Sequence, residues 1–398
     1  MSEWREVRLG DLCYRVCSGG TPKSTCTAYY DGGTIPWLNT KEINYNRIYQ
    51  TESHITEEGL NNSSAKWIDA NSVIVAMYGA TAGRVAVAKV PMTTNQACCN
   101  LMIDKSKADY NFIYYYLSNN YKHLLSMANG AAQQNLNAQV IKDFIISLPE
   151  IDEQYRIASF LSAFDDKIAI NRRICENLEA QAQALFKHWF IDFAPFKNGK
   201  FVESELGMIP LSEISEQITD GVHNSVKDEP NSNYMLLSCK NIVGGVLSKK
   251  NYRSISKSTF ESLRLRTKLA KGDVLLSSVG TIGEIAIVEE EPLTFEFQRS
   301  VAIVKPKKKI GTYFLYNALL ASKARLQHAA HGAVQQCLFI GDLKKFEIVC
   351  CNTEKAFLYN ETVKPLFEEI AKLHQESARL ATLRDTLLPK LMSGQIKV

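Results

Sequence analysis

The sequence predicts an α+β protein in which one α+β unit is present twice and each copy is followed by a long helix. Three observations favour this fold class: a phrase that recurs along the chain, short β-branched runs between turn residues, and two heptad patterns. The phrase NGAAQQNLNAQVIKDF at 129–144 returns as HGAVQQCLFIGDLKKF at 331–346, so that Gly332 stands 202 residues after Gly130. With 398 residues, the chain is long enough for two domains with full hydrophobic cores.

The repeat extends over nearly the whole chain. The same offset of 202 also pairs Gly19 with Gly221. The segment VIVAMYGATAGRVAVA, which begins at Val73, matches VLLSSVGTIGEIAIV, which begins at Val274, with small insertions. Duplication of an entire domain therefore explains why the phrase occurs twice.

Each copy combines a strand pattern with a helical pattern. Runs such as VIVAMY and DVLLSSV alternate with Gly, Asn and Asp, which is typical of strands and hairpins. A helical pattern follows the strands and begins at Tyr110 in the first copy and at Thr312 in the second. Each copy is therefore expected to be an α+β domain. The paired glycines are expected to lie in turns between strands, where the backbone needs either a positive φ or a close approach to a neighbour, and contact of these loops with DNA is a further role left open: Gly79, Gly83, Gly280 and Gly283.

A heptad pattern closes each copy and predicts a long helix. From Ile157 onward, seam positions recur at alternating steps of four and three residues, and the pattern returns from Tyr359. Asn171 is expected to be a polar seam residue that fixes the register. Pro365 is expected to kink the second helix or to mark its start, because proline lacks the N–H donor. The seam residues expected to pair are Ile157, Leu161, Phe164, Ile168, Leu178, Leu185, Val363, Leu366, Ile370, Leu373, Leu380 and Leu387.

We expect the two helices to pair with each other as an antiparallel coiled coil. Because each helix follows its own domain, antiparallel pairing would place the two similar domains at opposite ends and relate them by a pseudo-twofold axis. The alternative is that each helix packs on its own domain as an ordinary amphipathic helix. The sustained, narrow seam in both copies favours pairing.

Composition indicates a globular cytoplasmic protein. Hydrophobic residues make up 45% of the chain and charged residues 22%, and no apolar stretch approaches the ~20 residues that a membrane span needs. The ten cysteines are expected to be reduced thiols. Cys13, Cys17 and Cys26 lack the second pair of a zinc site, so we expect no metal. The net charge of +4 is compatible with nucleic acid binding but does not establish it.

Motifs for catalysis are absent from the sequence. An adenine methyltransferase is expected to carry an Asn-Pro-Pro-aromatic motif, and none occurs. The segments YGATAGR and VGTIGE match neither the dinucleotide fingerprint nor the phosphate-binding loop. We therefore expect no cofactor and no catalytic residues, and predict that the chain is not itself an enzyme.

Several segments resemble the specificity subunit of type I restriction-modification enzymes. The resemblance covers essentially the whole chain, although the second copy has CCNTEKAFLYN where the first has LPEIDEQYRIA. The segments that carry it are SGGTPKSTCTAYYDGGTIPWLNTKEI from Ser18, GAAQQNL from Gly130, IISLPEIDEQYRIASFL from Ile145, DGVHNS from Asp220, and LATLRDTLLPKLMSGQI from Leu380.

The resemblance implies a DNA-reading scaffold of four parts. These are a first target-recognition domain at 1–149, a central helical spacer at 150–200, a second target-recognition domain at 201–351, and a C-terminal helical spacer at 352–398. Such a subunit would read an asymmetric, two-part site in double-stranded DNA. It would bind two methyltransferase subunits that modify adenine at N6, and two motor-nuclease subunits, with the chemistry in these partners.

Candidate DNA contacts are polar or basic residues on expected loops, because amide, hydroxyl and guanidinium groups match base edges and cations neutralise phosphates. Closing turns and simple solvation are the alternative roles for these residues. The candidates in the first copy are Thr21, Lys23, Asn39, Thr40, Lys41, Tyr78, Thr81, Arg84, Asn95 and Gln96. Those in the second copy are His223, Asn224, Lys240, Asn241, Thr281, Gln298 and Arg299.

Two further features have open roles. The glutamine pairs at 133–134 and 335–336 either satisfy backbone groups where domain meets helix or bond DNA, and their presence in both copies favours the structural role. The basic runs at 264–268 and 305–309 are either solvated turns or phosphate contacts.

Two other function classes remain as alternatives. One is a self-contained DNA methyltransferase or nuclease, against which the missing motifs argue. The other is a coiled-coil adaptor that binds only proteins.

Overall fold

The computed structural model describes residues 4–127, 135–192, 207–332, 336–350 and 353–398. The chain divides into two compact units. Unit 1 comprises Met1–Ala169 and Ser377–Val398, and unit 2 comprises Ile170–Glu376. Each unit therefore contains one copy of the repeat together with part of each long helix.

Unit 1 is an α+β domain whose strands form two main sheets. One sheet has the strand order β2-β10-β7-β8-β4 and the other has the order β5-β3-β9-β6, while β1 pairs with β11. The strands are β1 Arg5–Arg8, β2 Cys13–Ser18, β3 Ile35–Leu38, β4 Asn46–Ile48, β5 Ser53–Ile55, β6 Trp67–Ile68, β7 Val73–Ala76, β8 Val85–Ala88, β9 Met92–Thr94, β10 Cys98–Ile103 and β11 Ile145–Leu148. The helices are α1 Glu57–Asn61, α2 Tyr110–Asn119, α3 Tyr121–Ser126, α4 Ala138–Asp143 and the long helix α5 Ile151–Phe190, which continues into unit 2.

Unit 2 repeats this arrangement. Its sheets have the orders β13-β21-β18-β19 and β17-β14-β20, β12 pairs with β22, and β15 pairs with β16. The strands are β12 Gly207–Pro210, β13 Ser215–Asp220, β14 Tyr234–Leu237, β15 Ile242–Val243, β16 Val246–Leu247, β17 Arg253–Ile255, β18 Val274–Ser277, β19 Ile285–Ile287, β20 Phe295–Phe297, β21 Val301–Pro306 and β22 Glu347–Cys350. The helices are α6 Leu211–Ile214, α7 Lys257–Thr267, α8 Thr312–Ala321, α9 Lys323–His328, α10 Ile340–Lys345 and the long helix α11 Thr353–Met392.

Strand β10 shows why the central strands have continuous apolar sequences: both of its faces are buried. Leu101 packs into the cluster that contains Phe112 of α2, whereas its neighbour Met102 packs into the cluster that contains Leu38 of the second sheet. Alternate side chains of a strand point to opposite faces, so a strand covered on both faces requires a continuous apolar run. Full burial of each such side chain contributes about 1.5–3 kcal/mol.

The prediction of positive φ at the paired glycines is confirmed. The φ angles are 74° at Gly79, 80° at Gly83, 76° at Gly280 and 90° at Gly283. In both copies these glycines frame the turn that joins two antiparallel strands, β7 with β8 and β18 with β19. A residue with a Cβ would be strained at these angles.

The two long helices pack against each other, as predicted. In unit 2, the Tyr359 hydroxyl donates to the Ala182 carbonyl at 2.7 Å, and Asn171 Nδ2 donates to Glu376 Oε2 at 2.7 Å. In unit 1, Arg384 forms an ion pair with Asp165. The partner number on α11 falls as the residue number on α5 rises in unit 2, so the helix segments there run antiparallel.

Several of the predicted seam residues are part of the hydrophobic cores of the two units. Ile157 and Leu161 belong to the core of unit 1, with Leu387 packed against it. Val363 and Ile370 belong to the core of unit 2. Asn171 is fully buried, as expected of a polar seam residue. The remaining predicted seam side chains are buried or half-buried: Phe164, Ile168, Leu178, Leu185, Leu366, Leu373 and Leu380.

The expectation that Pro365 marks the start of the second helix is wrong. Helix α11 begins at Thr353 and continues through Pro365. Val363 and Phe367, on either side, are buried in the core of unit 2. Packing of these apolar side chains holds the helical path although Pro365 supplies no N–H donor.

A histidine ties α11 to the domain of unit 2. His374 Nδ1 lies 3.2 Å from Glu289 Oε2, and both side chains are mostly buried. Burial alone would lower the pKa of the imidazole, but the hydrogen bond and charge of Glu289, together with the charge of Glu179, raise it above its usual value. Burial also raises the pKa of Glu179. Folded unit 2 therefore binds protons more tightly at this cluster than the unfolded chain does.

We expect the stability contributed by His374 to fall as pH rises. A raised pKa means that this contribution is complete below the unfolded histidine pKa of about 6.5 and is lost as pH passes through the folded value. The melting temperature of the full chain should exceed that of His374→Gln at low pH, and the difference should shrink toward alkaline pH. A difference that grows with pH would contradict the ion pair. His188→Gln, an exposed histidine on α5, serves as the control.

Candidate nucleic-acid interface

In unit 1, the predicted DNA contacts lie on loops that follow β2, β3, β7 and β9, and backbone hydrogen bonds tie these loops together. Gly20 N–H donates to Thr94 O at 2.8 Å, and Asn95 N–H donates to Leu38 O at 2.9 Å. Met77 N–H donates to the carbonyl of Ala97 at 2.8 Å. The four loops therefore form one connected surface, which we call loop cluster 1 (residues 19–23, 38–41, 77–81 and 94–97).

A glycine makes this close approach feasible. A Cβ at Gly19 would lie 2.1 Å from Thr94 O and 2.3 Å from Asn95 O. Such distances are far below van der Waals contact, so only glycine fits between the loops. Trp37 Nε1 also donates to Gly20 O at 2.9 Å and fixes the next residue.

The predicted residues of loop cluster 1 differ in exposure. Thr21, Lys23, Lys41, Tyr78 and Gln96 are exposed, whereas Asn39, Thr40 and Thr81 are half-buried and Asn95 is buried. Arg84, a predicted contact that follows the third loop, is half-buried. The exposed side chains are accessible to a ligand in solvent. Asn95 instead serves its own loop, since its Oδ1 accepts from Ala97 N–H at 3.1 Å.

Side-chain bonds orient several of these groups. The Thr21 hydroxyl donates to Gln96 Oε1, which joins two predicted contacts. Lys41 forms an exposed ion pair with Glu52 at 2.7 Å, and an exposed pair of this kind adds little stability.

In unit 2, the same framework recurs as loop cluster 2 (residues 221–225, 237–241, 278–281 and 297–300). Val222 N–H donates to Phe297 O at 2.8 Å, and Gln298 N–H donates to Leu237 O at 2.8 Å. A Cβ at Gly221 would lie 2.0 Å from Phe297 O. Gly221 therefore has the role that Gly19 has in unit 1.

Most predicted residues of loop cluster 2 are accessible. His223, Asn224, Lys240, Thr281 and Arg299 are exposed, Gln298 is half-buried, and Asn241 is buried. His223 Nε2 lies 2.7 Å from Asp220 Oδ2.

Asn241 has a structural role in the fold. Its Nδ2 donates to Ser248 O at 2.9 Å and to Lys250 O at 2.8 Å, and its Oδ1 accepts from Ser238 N–H. The amide is 3% exposed and closes the turn after β14, as turn-forming asparagines do. It offers no group to a base in this conformation.

The basic runs divide into structural and exposed residues. Arg264 Nε donates to Glu296 Oε1 at 2.6 Å, and that carboxylate is fully buried. Lys305 Nζ bonds Asp273 at 2.7 Å. Lys308 and Lys309 are exposed. The sequence could not distinguish these roles, because the acidic partners of Arg264 and Lys305 are distant along the chain.

One further candidate contact, Arg266, was predicted only as part of the basic run at 264–268. The Arg266 guanidinium donates to the carbonyls of Asp220 and Gly221 and lies 3.5 Å from Asp220 Oδ1. The same carboxylate contacts His223. The basic run carried the signal for Arg266, but its bonds to Asp220 and Gly221 depend on residues distant along the chain.

Neither a metal site nor a membrane-spanning helix is present in the described ranges. Within them, no group of three His, Cys, Asp or Glu side chains is placed to hold a metal ion. Among the helices of those ranges, none is long and apolar enough to cross a bilayer. The glutamines Gln133, Gln134 and Gln335 lie outside the described residues.

One framework, present twice and carrying different exposed polar residues, defines an internally duplicated α+β recognition protein. The family model for the type I restriction modification DNA specificity domain matches residues 1–180 and 208–355. The chain therefore belongs to this family.

Similarity to known members of this family extends over the full length of the chain. The chain is 28% identical to the type I restriction enzyme MjaIX specificity subunit of Methanocaldococcus jannaschii, covering 100% of this chain and 94% of the relative. It is 19% identical to the HindI specificity subunit of Haemophilus influenzae, covering 100% of both chains. The crystal structure of a type I restriction-modification S subunit from M. genitalium has the same fold, with a TM-score of 0.58, 17% identity, and coverage of 98% of this chain and 96% of that one.

Proposed function

We propose that this chain is the specificity subunit of a type I restriction-modification system and reads an asymmetric, two-part site in double-stranded DNA. Family membership makes it the non-catalytic member of its complex. One observation supports recognition of a two-part DNA site. Loop clusters 1 and 2 have corresponding backbone hydrogen bonds but different exposed side chains. Equal frameworks with different side chains suit two similar heads that read different sequences.

The chemistry of the exposed residues suits double-stranded DNA. Amide, hydroxyl and guanidinium groups, as in Gln96, Thr21 and Arg299, can bond base edges in the major groove. Exposed lysines such as Lys23 and Lys240 can neutralise phosphates, which fixes register without reading sequence. We therefore assign the base contacts to the exposed polar residues of both clusters, and not to Asn95 or Asn241.

We further propose that 1–149 and 201–351 are the two target-recognition domains and that 150–200 and 352–398 are helical spacers. The long helices α5 and α11 begin at Ile151 and Thr353, close to the proposed boundaries. A spacer built from paired helices is stiff, so it would set a fixed distance between the two parts of the DNA site.

Each unit also has a groove between its domain and the start of a long helix. The groove in unit 1 has a volume of about 600 Å³ and the groove in unit 2 about 660 Å³. The lining residues correspond through the same offset of 202, which pairs Tyr14 with Glu216, Lys105 with Lys307, Asp109 with Gly311, Tyr110 with Thr312, and Tyr155 with Phe357.

We propose that these grooves dock two methyltransferase subunits, one on each unit. Equivalent surfaces in both copies of a repeat suit two copies of one partner. Tyr155 and Phe357 are each 46% exposed, and exposed aromatic residues are common anchors in protein interfaces. Two motor-nuclease subunits would complete the restriction enzyme, as the family resemblance implies.

Replacing one groove aromatic should remove one methyltransferase copy. We expect Tyr155→Ser and Phe357→Ser each to reduce the complex from two methyltransferase subunits to one, measured by native mass spectrometry, because each change removes an anchor from one groove. The double variant should bind none. Leu265→Ser, which changes a 79% exposed residue outside both grooves, should keep two copies. Retention of two copies by the double variant would place docking elsewhere.

Selection from pooled random duplexes tests the function itself. The chain is purified with and without its methyltransferase subunit, and the retained DNA is sequenced. We expect enrichment of a site with two defined parts and an unspecified spacer. Absence of any sequence preference under both conditions would overturn the proposal and favour a protein-only adaptor. Methylation by the chain alone would instead indicate a self-contained enzyme.

A further inference from the structure

We propose that Gln96 and Arg299 occupy the same base-reading position in the two domains, and that the first selects an A·T pair and the second a G·C pair. This inference rests on the proposed function and adds to it the kind of base that each domain selects. It follows from a framework of backbone bonds that fixes both side chains at equivalent points, and from the different chemistry of those side chains.

The backbone bonds around the two residues correspond one to one. Gly19 N–H donates to Cys98 O at 3.3 Å, and Gly221 N–H donates to Val301 O at 3.3 Å. The bonds already described, from Gly20 and Asn95 in unit 1 and from Val222 and Gln298 in unit 2, match in the same way. These bonds align 94–98 with 297–301, which pairs Gln96 with Arg299 at an offset of 203.

Both residues lie in the same kind of turn. Cys98 N–H donates to Asn95 O at 3.2 Å, and Val301 N–H donates to Gln298 O at 3.1 Å. Each bond closes a four-residue β-turn in which Gln96 or Arg299 is the second residue. Both turns lead directly into a central strand, β10 or β21. Each turn is therefore held in place by its hydrogen bonds and by the strand that follows it. The exposed side chain of Gln96 or Arg299 projects from this fixed backbone.

The two side chains have different recognition chemistry. A glutamine amide can both donate to N7 and accept from N6 of adenine, whereas an arginine fork donates to O6 and N7 of guanine. Phosphate contacts would not need to differ between the copies, because the DNA backbone is the same in both parts of a site. The change from amide to guanidinium within an unchanged framework thus points to sequence reading.

Neighbouring groups leave both side chains available. The Thr21 hydroxyl donates to Gln96 Oε1, which orients the amide and leaves its Nε2 and a second lone pair of Oε1 to a base. Arg299 is exposed, and within the described part of the chain its guanidinium takes part in no hydrogen bond or ion pair. The backbone of Arg299 is held by two bonds, since its N–H donates to Val222 O at 3.0 Å and its carbonyl accepts from Ser278 Oγ at 3.5 Å.

The test maps methylated adenines in cells that produce the chain with its methyltransferase subunit. We expect Gln96→Arg to convert one position in one part of the site from A·T to G·C. Arg299→Gln should convert one position in the other part from G·C to A·T. Gln96→Ala and Arg299→Ala should relax the same two positions. Each change should alter the preference for the base pair roughly tenfold to a hundredfold.

Controls separate this inference from the proposed function. Gln50→Arg and Lys345→Gln make similar changes at exposed residues outside the loop clusters and should leave the site unchanged. An unchanged site in the Gln96 and Arg299 variants would overturn the inference alone. Loss of all methylation by the alanine variants, with normal melting temperatures, would also overturn it. Absence of a two-part site with the unaltered chain would overturn the proposed function.

Discussion

Replacing Tyr359 by alanine is expected to lower the free energy of unfolding of unit 2 by about 4 kcal/mol, as for large aromatic residues in protein cores. The side chain is fully buried between the two long helices and the domain. Its ring centroid lies 5.4 Å from that of Phe190 and 5.5 Å from that of Phe186. Truncation removes these contacts, leaves a cavity and removes the hydrogen bond that the Tyr359 hydroxyl donates to the Ala182 carbonyl.

Urea unfolding of the full chain, followed by circular dichroism, measures this effect. Tyr359→Phe keeps the ring and loses only the hydrogen bond, so it should cost about 1 kcal/mol. Phe357→Ala, two residues away on the same helix, removes a half-exposed ring and should cost less than about 1.5 kcal/mol. Equal losses for Tyr359→Ala and Phe357→Ala would show that the helices do not share a core in unit 2.

Replacing Gly221 by alanine is expected to reduce sequence-dependent DNA retention more than tenfold. The added Cβ would lie 2.0 Å from Phe297 O and 2.3 Å from Gln298 O, so the loops of cluster 2 must separate. Overpacking of this kind costs about 1–3 kcal/mol. A loss of about 1.4 kcal/mol in binding is already a tenfold change in affinity. Gly19→Ala should have the corresponding effect through loop cluster 1.

Gly341→Ala provides a matched control in the same unit, because nothing lies within 4 Å of the added Cβ. We expect this variant to retain DNA as the unaltered chain does. Retention is measured with a duplex that carries the selected site. Full retention by both Gly19→Ala and Gly221→Ala would mean that the loop frameworks do not form the DNA interface.

The features that the sequence predicted well depend on local spacing. The seam of the long helices follows from the recurrence of residues such as Leu161 and Ile370 at heptad steps, and both are buried in the cores. Turn glycines such as Gly79 and Gly280 were predictable because few other residues adopt a positive φ. Because the chain is duplicated, each of these patterns occurs twice, once in each copy.

The features that the sequence could not predict depend on distant partners. In the sequence, Arg264 and Lys305 resemble other exposed basic residues. In the structure, Arg264 pairs with Glu296 and Lys305 pairs with Asp273. Asn241 was predicted as a base contact from its loop position alone. The sequence does not show that its amide donates to the carbonyls of Ser248 and Lys250. Local sequence patterns carry no information on such long-range pairs. The continuation of α11 through Pro365 likewise depends on the packing of Val363 and Phe367 in the core of unit 2.

The most direct test of a two-part recognition protein is the methylated-adenine map of cells that produce this chain with its methyltransferase subunit, compared with cells that lack the chain. We predict chain-dependent methylation at a single asymmetric motif, with two specified parts separated by a constant number of unspecified base pairs. Methylation at an uninterrupted motif, or methylation that is the same without the chain, would contradict the account.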